Sequence, residues 1–388
     1  MRGAWRADVT GTGWVVAVLG LLALILGTVM HWTELLILAG TALALVVLAL
    51  LVVRVPLGAR HTLRVRPLRT RVGGTVRGEL VVHAGRMPLI APEVVVPVGP
   101  DRARLRLPIL AANREHVEPI RIAAERRGVH VVGPVAQVRT DVLGLARREV
   151  PCTGAVEVFV RPRTVPLDSL APGVVNDLEG VPSDQLSVSD LAFHALREYV
   201  PGDDLRHVHW RSSARAGSLL VRQYQETRRS SALVFVDTHA AAYASRGDLE
   251  LALSAAASVM QRALTDDFEV AFAWDAECVN SDASHPDPLL DATCRVEAAK
   301  RPRDPLRHDV GRAATAVPGA SLVVILSGGA RPAAELSVAA NSFGRDALRV
   351  VIRADASGTS ALAEQSGIRL LTLSRLEHLP LLLLRGSR

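Results

Sequence analysis

Two long uncharged stretches, Val9 to Met30 and Leu35 to Val53, constrain this chain of 388 residues more than any other feature. A helix over the second alone spans roughly 28 Å at about 1.5 Å per residue, close to the hydrocarbon thickness of a bilayer. Only His31-Trp32-Thr33-Glu34 separates them. They must therefore form a tight helical hairpin, with helices expected over about 10–30 and 35–53 inside an anchor of residues 1–56. The first stretch exceeds a signal-peptide core of about 7 to 15 residues, and no small-x-small cleavage motif precedes His31. Trp14 and Trp32 stand near the ends of the runs, where amphipathic rings favour the membrane interface. The competing reading is two core helices of a soluble protein.

Arginines set the expected orientation. Arg2 and Arg6 precede the first run, Arg54, Arg60, Arg64 and Arg66 follow the second, and the loop between carries no Lys or Arg. The positive-inside rule then places both chain ends in the cytoplasm, with the hairpin crossing an inner or plasma membrane twice. Neither run contains an ionisable residue that could line a transport pathway.

Hydrophobic residues make up 49% and charged residues 22%, so the rest of the chain has enough apolar matter for packed cores. Of 45 basic residues only Lys300 is a lysine, a bias that points to a GC-rich coding sequence. The arginines are scattered and aromatics are only 4%. A nucleic-acid surface would cluster basic residues on one face with aromatics between them, so no nucleic-acid partner is expected. Cys152, Cys278 and Cys294 are odd in number and far apart, which indicates neither a disulfide framework nor a zinc site.

Residues 57–165 read as short strands. Leu63 and Val65, Leu105 and Leu107, Ile120 and Ile122, and Val156 and Val158 alternate with period two. Gly73-Gly74, Gly85, Pro100-Asp101 and Gly133-Pro134 punctuate them as turns. The pattern predicts a small antiparallel β-sandwich-like domain. Residues 166–196 are rich in Pro, Gly, Ser and Asp and read as a connector.

Beyond Ala232 the pattern changes. Ala232 to Asp237 is an apolar run of the kind buried on both faces. Leu249, Leu253, Ala256, Met260 and Leu264 form one stripe of a helix that Asp248 can cap. Further strands are expected at 268–274, 321–326, 348–352 and 368–373, with helices near 331–341 and 358–366. This alternation predicts a parallel sheet covered on both faces, a Rossmann-like α/β domain.

Between connector and sheet lies the densest cluster of special residues, Arg197 to Gly217. Pro201-Gly202 is a turn dipeptide, and Asp203 or Asp204 can cap the next helical turn. Arg206, Arg211 and Arg215 offer planar guanidiniums for bidentate pairing with Asp203 and Asp204. Trp210 and Tyr199 are expected to pack the segment against the sheet.

This stretch resembles the signature of the DUF58 family, R-x-Y-x-P-G-D-D-x-R-x-I-x-W-x-x-S-A-R-x-G-x-L-x-V-R. Arg197, Tyr199, Pro201, Gly202, Asp203, Asp204, Arg206, Trp210, Ser213, Ala214, Arg215, Gly217, Leu219, Val221 and Arg222 all match. Upstream, Arg127-Gly128-Val129 and Gly133-Pro134 resemble the family's preceding strand pair. Asp141 to Leu145 resembles its D-P-F-G-L turn, with Val142-Leu143 in place of Pro-Phe.

The resemblance implies that residues 197–388 combine the signature with a von Willebrand factor A-like domain. It implies, too, a bacterial protein acting with a MoxR-type AAA+ ATPase, often alongside a transglutaminase-like membrane protein. In that fold D-x-S-x-S at the end of the first strand and a later T-D-G loop hold a metal. Here His239 and Ala241 replace the serines after Asp237, and the later loop reads Ser327-Gly328-Gly329 without a carboxylate. A degenerate site with no metal and no cofactor is expected, against the alternative of a metal-dependent adhesion domain.

No G-x-S-x-G elbow, phosphate loop, H-E-x-x-H or G-x-G-x-x-G after a strand is present. The leading reading is a non-enzymatic adaptor with no catalytic residues, in which the signature residues carry protein–protein interaction. The alternative is a hydrolase built on Asp203, Asp204 and His209, whose side chains suit acid–base work.

Overall fold

The computed structural model describes the chain except residues 1–6, 56–57, 90–91, 100, 169, 171–190, 202, 227–230, 300–305, 345–346, 366–367 and 386–388. The chain forms two compact units, Met1–Arg161 and Pro162–Arg388.

The first unit begins with strand β1 (Ala7–Val9) and the helices α1 (Gly11–Met30) and α2 (Thr33–Arg54). The two helices are long and apolar enough to cross a membrane. They meet along a seam of small residues. Gly13, Gly20 and Gly27 are the buried residues of α1, and Ala39, Val46, Ala49 and Val53 those of α2. The seven-residue spacing keeps one face of each helix on its partner, and glycine lets the backbones close in. A Cβ at Gly20 would lie 3.2 Å from the Ala42 Cβ, and one at Gly27 3.1 Å from the Leu35 Cβ. The outer faces, including Leu19, Leu22, Ile25, Ile37 and Leu48, are exposed apolar surface.

The rest of this unit is a sandwich. One sheet contains β2 (Arg60–Arg66), β4 (Thr75–His83) and β7 (Glu115–Ala123) in the order β2-β4-β7. The larger sheet adds β3 (Arg69–Arg71), β5 (Glu93–Val98), β6 (Asp101–Arg106), β8 (Gly128–Val132), β9 (Ala136–Thr140), β10 (Ala146–Pro151) and β11 (Val156–Arg161). Its order is β1-β10-β9-β5-β8-β11-β3, with β6 beside β5. Val65, Val76, Leu80 and Val82 from the small sheet meet Val94, Val96, Val132 and Val158 from the larger one. These are the inward positions of the period-two pattern.

The second unit opens where a connector is expected, but Leu167 and Leu170 are buried against its core. The Val165 amide donates to the Ser258 hydroxyl at 3.1 Å. Residues 171–190 of the expected connector lie outside the described residues. Its last residues, 191–196, belong to a strand, β12 (Leu191–Glu198), which pairs antiparallel with β13 (Leu220–Glu226). Apolar residues at the end of a polar stretch can satisfy their backbone only by pairing, and β13 supplies the partner.

Beyond the ribbon lies an open sheet: β14 (Ser231–Val236), β15 (Glu269–Trp274), β16 (Glu277–Ser281), β17 (Leu322–Gly328), β18 (Leu348–Ala354), β19 (Ala361–Gln365) and β20 (Ile368–Leu373). The order is β16-β15-β14-β17-β18-β20-β19. All neighbours are parallel except the edge strands β16 and β19. One face is covered by α4 (Arg246–Thr265), α5 (Asp287–Thr293) and α8 (Leu379–Arg385), the other by α6 (Leu306–Ala316) and α7 (Ala333–Ala340). Two expectations change. Of the helix expected at 358–366, the described residues 358–365 form none: Ala, Leu, Glu and Gln favour helix by only a few tenths of a kcal/mol, and the open edge of β20 captures 361–365 as a strand. Ser245, not Asp248, caps α4; Asp248 returns the bond to the Ser245 amide, closing a capping box.

Gly20→Val should overpack the helix seam and destabilise the hairpin by about 1–3 kcal/mol. Thermal unfolding of the full chain in detergent would register this as a lowered midpoint. Gly40→Ala should leave the midpoint unchanged, because nothing lies within 4 Å of a Cβ there.

Candidate functional site

Two places carry the residues singled out above, and both lie in the second unit. The first is the carboxyl end of the open sheet, where ligands of such sheets usually bind. Asp237 follows β14 and is almost wholly buried. Its Oδ2 accepts the Ser327 hydroxyl at 2.7 Å and the Arg331 guanidinium at 3.0 and 3.1 Å. Its Oδ1 accepts the His239 amide at 3.0 Å. The Tyr243 hydroxyl donates to the Asp237 carbonyl at 2.5 Å.

Arg331 therefore supplies the positive charge that Asp237 needs. A divalent ion would have to displace a guanidinium from Oδ2 and would find no second carboxylate on the Ser327-Gly328-Gly329 loop. The residues present do not fit a metal of the expected type. Among the described residues, no group of three or more His, Cys, Asp or Glu side chains converges on such a site. The sequence pattern showed the missing ligands and did not reveal Arg331, which lies on the loop after β17.

Backbone segments approach closely at this end of the sheet. A Cβ at Gly328 would collide with the Ala242 carbonyl oxygen. Asp248 reaches across to accept the Ala356 amide at 2.9 Å. Burial tends to lower the Arg331 pKa, but Asp237 and Glu335 outweigh it and hold the guanidinium above its ordinary value. Burial above all, then the Asp237 charge, pushes the Tyr243 phenol well above its usual range. Burial also raises the Cys152 and Cys278 thiols, so neither is an activated nucleophile.

The second place is the signature, which folds as a ribbon with a helical cap. After β12 the Tyr199 amide donates to the Leu219 carbonyl at 2.8 Å. The Asp203 Oδ2 accepts the Val200 amide at 2.9 Å, closing the Pro201 turn. Asp204 caps a single 3-10 turn, Leu205–His207, by accepting the Arg206 amide at 2.9 Å. His209 caps the short helix α3 (Trp210–Ala216) by accepting the Ser212 amide through Nδ1 at 3.2 Å.

Ser213 is the buried centre of this cap. Its hydroxyl donates to the His209 carbonyl at 3.1 Å and accepts the Leu220 amide at 2.8 Å, clipping α3 to β13. Gly217 ends α3 in the left-handed region at φ 71°, where glycine is at no disadvantage. Val208 and Val221 bury beside them. The small side chain of Ala214 is exposed.

Three expectations about this segment change. Trp210 is 65% exposed and is not a core residue. Asp204 serves the backbone, and Asp203 does so as well. Among the described residues, Arg206, Arg211 and Arg215 form no ion pair, and all three are exposed. A short ribbon has too little interior for a tryptophan, so its local caps take the carboxylates and its large side chains stay outside. Val200, Leu205 and Leu219 of the same segment are exposed as well. Pro201 is exposed in the turn. Gly202 and the side chains of Arg197, His207 and Arg222 lie outside the described residues.

The signature is thus a β-ribbon with a serine-clipped helical cap, leading into a parallel sheet. Residues 195–328 match the family model DUF58, described as a protein of unknown function. Through this stretch the chain is similar to the DUF58 family. No curated protein matches. Among solved structures, the CARDB domain of a Pyrococcus furiosus protein is similar in two determinations. The solution structure matches at 14% identity and TM-score 0.20, over 26% of this chain and 94% of that one. The crystal structure, in complex with di-metal ions, matches at 13% identity and TM-score 0.19, over 26% and 93%.

Arg331→Met should leave the Asp237 charge buried and unpaired, destabilising the fold by about 3–5 kcal/mol. Adding Asp237→Asn should recover most of that loss in chemical denaturation. The Tyr243 phenol has a folded-state pKa above its unfolded value of about 10. Its contribution is whole below pH about 10 and is lost as pH rises through the folded value. Tyr243→Phe should therefore flatten the alkaline fall in unfolding midpoint above that pH.

Proposed function

We propose that this protein is a membrane-anchored, non-enzymatic adaptor whose signature ribbon docks a partner protein. The observation that carries the reading is the exposure, on one short segment, of Trp210, Val200, Leu205 and Leu219 together with Arg206, Arg211 and Arg215. Tryptophan and arginine dominate the energetic centres of protein interfaces. Exposed apolar and cationic side chains on one segment suit an acidic partner surface with an apolar centre.

The hydrolase reading has less support. Asp203, Asp204 and His209 each accept a backbone amide two or three residues away. Side chains committed to caps are poorly placed to share a substrate.

The hairpin serves as the anchor, and the exposed apolar faces of α1 and α2 support a membrane location. The arginines flanking the hairpin favour cytoplasmic termini at an inner or plasma membrane. The choice of a MoxR-type AAA+ ATPase, with a transglutaminase-like membrane protein as a second associate, comes from the family resemblance. The strand order of the open sheet, with Asp237 ending a central strand, supports the von Willebrand factor A-like reading of the second unit. In such a unit the charge of Arg331 would replace the metal.

Affinity purification of the full chain from solubilised membranes should recover an ATPase of this class. Trp210→Ala with Arg211→Glu should reduce recovery roughly 30-fold, the equivalent of a hot spot of about 2 kcal/mol. The unfolding midpoint should not change, since both side chains are exposed. Undiminished recovery would refute the docking surface, and failure to recover any ATPase, with or without ATP, would refute the partner.

A further inference from the structure

The turn between β9 and β10 holds two apolar side chains where the fold gives them nothing to cover. Val142 is fully exposed and Leu143 is 59% exposed. The turn is fixed from within. Asp141 accepts the Leu143 amide at 2.9 Å and the Ala146 amide at 2.6 Å, and the Gly144 amide donates to the Asp141 carbonyl at 3.0 Å. Gly144 takes a positive φ of 69° that closes the loop.

The same turn is bonded to the start of α1. The Thr10 amide donates to the Leu145 carbonyl at 2.9 Å. The Thr10 and Thr12 hydroxyls donate to the Gly144 carbonyl at 2.5 and 3.3 Å. A Cβ at Gly13 would collide with the Leu145 oxygen, so the turn abuts the helix backbone. Register gives its direction. β1 and β10 are antiparallel, with Val9 opposite Ala146. Followed backwards from Ala146, the chain therefore runs with α1, away from the sandwich and along the first helical turn.

Leu145 and Ala146 are buried against Val46, Ala49 and Val53 of α2. Arg139, at the base of the same hairpin, donates to the carbonyl of Val55, just past the end of α2. The β9–β10 hairpin thus straddles the end of the helical pair at which α1 begins and α2 finishes. Arg54 and Arg139 stand there as cations, and Trp14 is exposed one turn into α1. Single exposed apolar residues need no explanation. A rigid pair continuous with the uncovered flank of two apolar helices does.

We infer that the 141–145 turn is a second membrane contact, with Val142 and Leu143 entering the headgroup–acyl boundary of the leaflet that holds the first turn of α1. The inference rests on the reading of α1 and α2 as membrane-crossing. Anionic phospholipid headgroups would meet Arg54 and Arg139 at the same level, so the contact fixes how the sandwich sits on the bilayer.

The native full-length chain in phosphatidylcholine–phosphatidylglycerol nanodiscs, illuminated with a phospholipid bearing a diazirine near the ester carbonyl, provides the test. Cleavage at arginine separates the peptide Thr140–Arg147 from Ala7–Arg54, which holds both helices. Lipid adducts on both peptides are expected. Val142→Ser with Leu143→Ser should lower the adduct on Thr140–Arg147 at least fivefold and leave that on Ala7–Arg54 unchanged. Adducts on Ala7–Arg54 alone, or undiminished adducts in the double variant, would overturn the second contact while the anchor stands. Adducts on neither peptide would overturn the anchor, and the contact with it.

Discussion

Apolar surface that the chain leaves uncovered is the condition on which the rest of this structure depends. The outer faces of α1 and α2 are leucine, isoleucine and valine, and among the described residues no other element packs over them. In water that surface would drive aggregation at roughly 25 cal/mol for each Å² left exposed. In a bilayer it costs nothing, and the helices satisfy every backbone group internally. Close contact then holds the pair together, because lipid offers leucine the same environment as a neighbouring helix does. Gly20 and Gly27 supply that contact, because they let α2 approach the α1 backbone closely. The sandwich inherits its footing from this pair through β1, the Thr10 bonds and the 141–145 turn.

Charge is handled differently in the two places where polar side chains cluster. At the end of the open sheet, Asp237 is buried and neutralised by Arg331, with Ser327 and the His239 amide completing its hydrogen bonds. A buried pair so completed is a structural element, since removing either partner strands a charge. In the ribbon the opposite holds. Carboxylates cap turns, while arginines and a tryptophan face outward. The first arrangement closes a site and the second opens a surface.

Much of this was legible in residue order. The two uncharged runs gave the helices nearly to the residue. Period-two alternation placed Val65, Ile120, Ile122 and Val158 in the sandwich core. The stripe from Leu249 to Leu264 lies wholly in the core of the α/β unit. The failures are equally specific. Residues 361–365 have helical composition but lie beside an unpaired sheet edge, and pairing outweighed a propensity of a few tenths of a kcal/mol. Trp210 looked like a core residue because tryptophan usually is, whereas a two-stranded ribbon has no core to receive it. Asp203 and Asp204 looked like partners for Arg206, Arg211 and Arg215 because opposite charges lay close in sequence. Backbone amides nearer still took them first.

The sequence by itself determined what is local or periodic: two spanning-length helices, alternating strands, a capped turn at Pro201, and a family signature too long to be coincidence. It also showed that the expected metal ligands are absent at His239 and Ala241. Only the tertiary structure decided which groups meet across long chain separations. It brought Arg331 to Asp237, Thr10 to Gly144, Gly13 to Leu145, and Gly20 and Gly27 to α2. The reason is physical. Hydrophobic period and cap chemistry act over a few residues, whereas a charge pair or a close backbone approach depends on where the sheets and helices have carried distant residues.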